Sequence, residues 1–209
     1  MLRVLIADDF PLFRRGVKDL LTDGLGSVAV EECDNAHALL ELVRRKKWDV
    51  VILDITMPGT TGTDALKQVK AAHPKLPVIV LSMHPEDQYA IRMFKAGAAA
   101  YLTKASAPEE LVAAVKKVCT GGQYVSQSLG EKLVQTLQPE GDETLHKQLS
   151  DREFEVMRLL ASGKTVSEIA DVMHLGVTTI STYRARILEK LRLKNNAELM
   201  HYALQQRIT

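Results

Sequence analysis

Cysteine is scarce in this chain: Cys33 and Cys119 stand alone and far apart. Neither a disulfide framework nor a thiolate zinc site has the ligands it needs. The six histidines are scattered without metal-ligand spacing. No apolar run approaches the roughly twenty residues that cross a bilayer. The start, Met1-Leu2-Arg3 followed by four apolar residues and then two aspartates, lacks the longer apolar stretch of a signal peptide. A cytoplasmic protein without a membrane partner is therefore expected. There is no internal repeat and no low-complexity tract. Net charge is also nearly absent, at +1, but it is unevenly spread. Between Val177 and Lys194 five Lys/Arg face one Asp/Glu, a local basic cluster suited to polyanion contact by one face.

What the chain does have is alternation. Short apolar runs, Val4 to Ala7, Val28 to Glu32, Val50 to Leu53, Val78 to Leu81 and Ala100 to Thr103, alternate with helical stretches. Those stretches are Pro11 to Leu20, Asn35 to Lys46, Thr63 to Ala72, Glu86 to Ala96 and Pro108 to Thr120. Five βα units in succession predict an α/β fold, a doubly wound five-stranded parallel sheet with helices on both faces. Gly24, Gly26, Pro58-Gly59, Pro74 and Pro77 mark the joints. Ser128 to Leu137 has the pattern of one further helix, and Gln138-Pro139-Glu140-Gly141-Asp142 reads as linker. From Ser150 onward only helical signals remain: Asp151 to Ala161, Val166 to Met173, Val177 to Leu191 and Ala197 to Leu204. Two of these helices open on capping boxes, Ser150 with Glu153 and Thr165 with Glu168. The expected division is 1–120, a linker over 121–148, and a small all-α domain over 149–209.

Four of the apolar runs end in a reactive residue: Asp8 and Asp9, Asp54, Ser82, and Lys104. In open α/β sheets ligands gather at the carboxyl ends of the strands, so these residues are expected to meet. Taken singly, an aspartate past a strand is often a turn former and a lysine there is usually solvated. Together, three carboxylates repel unless a cation joins them. Hard oxygen ligands with open positions suit Mg²⁺. A carboxylate can also act as nucleophile toward a phosphoryl group, with metal and lysine offsetting the developing charge. Asp54 ends the most continuous apolar strand and is the candidate nucleophile. Ser82 and Lys104 are placed to meet phosphoryl oxygens.

Asp8-Asp9, Asp54 with Met57-Pro58-Gly59-Thr60-Thr61-Gly62 after it, Ser82, and Tyr101-Leu102-Thr103-Lys104 resemble the receiver domain of bacterial response regulators, a flavodoxin-like fold. The resemblance runs from Met1 to about Thr120. It implies that Asp54 accepts a phosphoryl group from a histidine kinase, and that Asp9 and Asp54 bind Mg²⁺ with the backbone carbonyl of Thr56. Asp8 would reach the metal largely through water. Ser82 and Tyr101 would form a switch pair, the hydroxyl drawn to the phosphoryl group and the ring turning inward behind it. Many receivers carry proline after the lysine, whereas Ala105 stands here.

Val166 to Met173, a turn through His174-Leu175-Gly176, and Val177 to Leu191 have the arrangement of a helix-turn-helix. On the second helix Ile180, Tyr183, Ile187 and Leu191 recur at core spacing. The opposite side presents Ser181, Thr182, Ala185, Arg186 and Glu189, with Arg184 at the margin. Small hydroxyls and alanine admit base edges and thymine methyls, and arginines reach guanine or phosphate. Leu149-Ser150-Asp151-Arg152-Glu153, Leu159-Leu160-Ala161-Ser162-Gly163, Glu168-Ile169-Ala170, Thr179-Ile180 and Lys190-Leu191 resemble the LuxR-type DNA-binding domain of the NarL/FixJ regulators. By position the resemblance puts Ser181, Thr182 and Ala185 against bases and Lys164, Thr165, Thr179 and Lys190 against phosphates. Arg184 and Arg186 are added from charge and helix face. The usual serine cap is Gly176 here, and a histidine common within the second helix is Tyr183. In this family the last helix, with Leu199, Met200, Tyr202, Ala203 and Leu204, is where two DNA-binding domains pair.

The expected function is a non-enzymatic transcriptional regulator of a two-component system. Phosphorylation of Asp54 would switch homodimerisation and binding to double-stranded DNA, with RNA polymerase a further partner at the promoter. Two alternatives remain: a DNA-binding dimer indifferent to phosphorylation, and an Mg²⁺-dependent phosphohydrolase with an aspartyl nucleophile. Phosphohydrolases of that kind usually separate their first-strand aspartates by one residue, whereas Asp8 and Asp9 are adjacent.

Overall fold

In the computed structural model, residues 1–57, 62–136, 145–206 and 208 are described. Pro58 to Thr61 of the loop after Asp54, and the linker Gln138 to Asp142, lie outside them. The chain forms two compact units, Met1–Gln138 and Pro139–Thr209.

The first unit is a five-stranded parallel sheet of order β2-β1-β3-β4-β5. Its strands are β1 (Leu2–Ala7), β2 (Val28–Cys33), β3 (Val50–Asp54), β4 (Val78–Ser82) and β5 (Ala100–Thr103). Helices α1 (Pro11–Leu25), α2 (Ala36–Arg45), α3 (Gly62–Ala72), α4 (Glu86–Lys95) and α5 (Ala107–Cys119) connect and follow them. β3 and β4 are buried at every position, which is why they read as unbroken apolar runs rather than alternating ones. On one face Val4, Ile6, Ile52, Ile79, Leu81 and Leu102 pack against Val17 and Leu21 of α1 and Leu111, Val115 and Val118 of α5. The alternate residues Leu5, Val51, Leu53, Val80 and Tyr101, also buried, belong to the other face.

Register aligns the strand ends. Ala7 pairs with Leu53, Asp54 with Leu81, and Ser82 with Thr103. Asp8 therefore emerges level with Asp54, and Lys104 one residue past Ser82. After β3 the chain returns so closely that a Cβ on Gly62 would lie 2.0 Å from the Ile55 Cα. Only glycine fits there, which gives the last residue of the Met57 to Gly62 motif a steric reason.

Beyond α5 the chain does not leave the first unit at once. The Tyr124 N–H donates to the Ala99 carbonyl beside β5. α6 (Gln127–Thr136) then begins at Ser126, whose hydroxyl accepts from Leu129 N and donates to Glu86 Oε2 of α4 at 2.6 Å. Ser128 donates to the same oxygen at 3.0 Å. Residues expected within the linker thus pack with the sheet domain, because Glu86 offers their hydroxyls an acceptor.

The second unit contains a short 3₁₀ turn (Leu145–Gln148) and helices α7 (Asp151–Ala161), α8 (Val166–Met173), α9 (Val177–Leu191) and α10 (Asn196–Gln205). Both expected capping boxes are formed in full. Phe154, Met157, Leu160, Ile169, Ile180, Ile187, Leu191 and Leu199 make its core. The turn between α8 and α9 places His174 in the left-handed region, φ 52°, a conformation that costs a non-glycine residue about 1–2 kcal/mol.

Candidate functional site: an aspartate–lysine pocket and an exposed helix

Asp8, Asp54 and Lys104 converge at the carboxyl end of the sheet, where the strand order reverses between β1 and β3. Lys104 Nζ lies 2.6 Å from Asp8 Oδ2 and 2.7 Å from Asp54 Oδ2. Asp54 is 1% exposed and Asp8 2%, whereas Asp9 is exposed. One carboxylate oxygen from each of Asp8, Asp9 and Asp54 lies within 4.8 Å of the others. Burial raises the Asp8 carboxyl above its ordinary value, against the pull of Lys104 and the Phe10 N–H, and the neighbouring Asp54 charge raises it further. For Lys104, burial works against the charged form, but hydrogen bonds and charge from Asp54 and Asp8 outweigh it and hold the ammonium above the usual lysine range.

The Phe10 N–H donates to Asp8 Oδ1 at 2.8 Å, while the buried Asp8 Oδ2 is held by Lys104 Nζ at 2.6 Å. Three carboxylates that bring hard oxygens this close together fit a hydrated Mg²⁺ better than a softer metal. Receiver domains generally bind Mg²⁺ at such acidic residues. Asp54 Oδ1 accepts from the Thr56 N–H at 2.8 Å and the Thr56 hydroxyl at 2.5 Å. These two Thr56 donors were not singled out from the sequence, which pointed to its carbonyl.

Ser82 and Tyr101 meet at one residue. The Ser82 hydroxyl oxygen accepts from His84 N–H at 3.0 Å, and the Tyr101 hydroxyl donates to the His84 carbonyl at 2.9 Å. Both side chains are fully buried, with the tyrosine ring turned into the protein. Two contributors were not singled out from the sequence. Arg14 Nη1 donates to the Asp8 carbonyl oxygen, and the Phe13 ring lies against Lys104. Their position in the first turn after Asp8-Asp9 was the signal available. No cis peptide occurs among the described residues, so the Lys104–Ala105 bond is trans.

On the second unit Thr178, Thr179, Ser181, Thr182, Ala185 and Arg186 are exposed along α9. Thr178, Thr179, Thr182, Tyr183 and Arg186 line a shallow depression of about 220 Å³. The Thr182 hydroxyl donates back to the Thr178 carbonyl at 2.9 Å, so its proton is engaged within the helix. Lys164 and Thr165 are exposed ahead of α8, the Thr165 side chain also capping that helix. Two expected DNA ligands have protein partners. Arg184 Nε donates to Asn196 Oδ1 at 2.7 Å, and Lys190 Nζ pairs with the buried Glu153 at 2.6 Å.

A carboxylate pocket under a lysine on a five-stranded parallel sheet, followed by a helix-turn-helix, defines a two-domain switch protein that receives a signal in one unit and delivers it through the other. Residues 4–116 match the response regulator receiver domain and residues 147–203 the bacterial regulatory proteins of the luxR family. The response regulator GacA of Pseudomonas aeruginosa is 34% identical over 206 residues, covering 98% of this chain and 96% of that one. The response regulator UvrY of Escherichia coli K12 is 32% identical, covering 98% and 94%. Among solved structures, RcsB from Salmonella enterica serovar Typhimurium, bound to promoter rprA with the phosphomimetic BeF3⁻, superposes with a TM-score of 0.69 at 28% identity, over 97% of this chain and 98% of that one. An RcsB–DNA complex gives 0.60 at 29% identity, over 96% of each. The chain belongs to the response regulators that join a receiver domain to a LuxR-type helix-turn-helix, the DNA-binding transcription regulators of two-component systems. Members of this family are regulators rather than enzymes, and no described helix is long and apolar enough to cross a membrane.

Proposed function

We propose that Asp54 accepts a phosphoryl group from a histidine kinase and that the modification governs dimerisation and promoter binding. The observation that carries this reading is the burial of Asp54 beside Asp8 with Lys104 bridging both. A carboxylate nucleophile needs positive charge where the transferring oxygens will sit, and needs water kept out. Lys104, 10% exposed in its side chain, supplies that charge. Mg²⁺ held by Asp9, Asp54 and the Thr56 carbonyl, with Asp8 acting largely through water, would neutralise charge on the phosphoryl oxygens. The Thr56 hydroxyl orients the nucleophilic carboxylate by its hydrogen bond to Oδ1.

Ser82 then turns its O–H from the β4–α4 loop toward a phosphoryl oxygen. Tyr101 grips the same loop through the His84 carbonyl, so both ends of the switch act on one residue, Ser82 at its N–H and Tyr101 at its carbonyl. A charge of about −2 on Asp54 biases the loop and the α4 start beyond it. In the second unit α9 would enter the major groove, with Ser181, Thr182 and Ala185 against bases. Lys164, Thr165, Thr179 and Arg186 would hold phosphates, joined by Lys190 and Arg184 where their protein partners release them. Met200 and Leu204 of α10, 36% and 66% exposed, offer an apolar surface for a second copy. RNA polymerase is the further partner at the promoter, and the compartment is the cytoplasm.

The test is to incubate the purified protein with sheared genomic DNA from its host, with and without Mg²⁺ and fluoroberyllate, and to sequence what is retained. Enrichment of a short repeated site only with fluoroberyllate, lost in Asp54→Ala, is the expected result. Equal enrichment without fluoroberyllate overturns the gating. No enrichment under either condition overturns the DNA-binding assignment of α9.

A further inference from the structure

We infer that Phe13 is a positioning residue for the phosphoryl-transfer site: its ring holds the Lys104 ammonium through a cation–π contact and keeps the charge aimed at Asp54 as the phosphoryl group arrives. Lys104 Nζ lies 4.5 Å from the Phe13 ring centroid, inside the roughly 6 Å over which an aromatic face attracts a cation. The same nitrogen is 2.6 Å from Asp8 and 2.7 Å from Asp54. An ammonium has three donors. The carboxylates occupy one flank and the ring covers another, so little room is left for water around the charge.

The local sequence builds this contact. Pro11 opens α1, and Phe13 falls in its first turn, from which helical side chains lean back toward the N-terminus. That end of α1 adjoins Asp8, and Arg14 ties it there through the Asp8 carbonyl. A ring suits the task better than a second acceptor would. Its attraction depends on the charge and not on the direction of an N–H. Lys104 can therefore redirect a donor from Asp54 Oδ2 to a phosphoryl oxygen without losing the ring. The competing explanation is packing alone, since Phe13 also lies against the α1–α5 side of the core.

The inference rests on the reading of Asp54 as phosphoryl acceptor, and the experiment separates the two. The full-length protein carries mono-, tri- or pentafluorophenylalanine at position 13, which weakens the ring face with little change of shape. Each variant is labelled with acetyl phosphate and Mg²⁺; the donor's P–O bond breaks, acetate leaves with the electron pair, and a P–O bond forms to Asp54. The labelling rate should fall stepwise with fluorination, by about three- to thirtyfold at pentafluoro, with the melting temperature unchanged. The same series in a Lys104→Met background should be flat. In metal-free protein, the ring-shielded Lys104 ε-methylene protons should move downfield in Phe13→Leu. A flat series in the wild-type background, with Asp54→Asn unlabelled, overturns the role of Phe13 and leaves the site standing. A slope that persists in Lys104→Met shows the ring acting elsewhere and also overturns it. Labelling of Asp54→Asn at the wild-type rate overturns the acceptor reading and this inference with it.

Discussion

Glu153 shows how one side chain can cap one helix and tie down another. It completes the capping box of α7 and accepts Lys190 Nζ from α9 at 2.6 Å while 3% exposed. Burial alone would raise its carboxyl, but the Lys190 hydrogen bond and those of the Ser150 N–H and hydroxyl outweigh that and hold it below the ordinary 4.5. A carboxyl lowered in the folded state contributes stability above its unfolded value and loses it as pH falls through the folded one. The second unit should therefore weaken as pH drops below about 4.5, and Glu153→Gln should flatten that part of a pH–stability curve. Lys190→Met leaves a buried acceptor without its charged partner and should cost about 1–3 kcal/mol in chemical denaturation. The double change should recover much of that loss. The resemblance to LuxR-type domains implied a phosphate ligand at Lys190; the intramolecular partner was invisible, because Glu153 is remote in sequence and meets it only through packing of α7 on α9.

At the scale of elements, α6 and α9 are set by their first residues. Ser126 caps α6 and donates to Glu86 at the start of α4. Ser126→Ala should free the helix start and cost about 1 kcal/mol, read as faster amide exchange confined to α6. Since Glu86 lies two residues beyond His84, the residue gripped by both Ser82 and Tyr101, fluoroberyllate should alter exchange in α6 as well as in α4. α9 begins at Gly176 with no side-chain cap. Gly176→Ser should stabilise the second unit by a few tenths of a kcal/mol, checked by its denaturation midpoint. The capping boxes, the βα alternation and Ile180, Ile187 and Leu191 of the α9 core stripe were legible in sequence, because each depends on neighbours within one or two turns, whereas Tyr183, expected in that stripe, is half-buried and lines the surface depression. The docking of α6 was not, since its partner lies on another helix.

For the whole molecule, a net charge of only +1 means that DNA affinity has to come from the placement of cations rather than their number. Two copies, each neutralising two or three phosphates through Lys164, Arg186 and their neighbours, should give a slope of about −3.5 to −5.5 in log affinity against log salt. Equilibrium titrations across a salt series measure it, and Arg186→Ala should make the slope shallower by about 2 per dimer. A slope near zero would count against phosphate contacts by α9.

The sequence alone determined the class of each unit and named the groups that converge at the carboxyl end of the sheet. Apolar periodicity reports burial, and a carboxylate or an amine keeps its chemistry wherever it is placed. The tertiary structure decided what those groups touch. Strand register set Asp8 level with Asp54 and brought Lys104 between them, close return of the chain required Gly62, and helix packing gave Lys190 and Arg184 protein partners. Hydrogen bonds, ion pairs and dispersion act over a few ångströms, and only the folded chain turns distances along the sequence into distances in space.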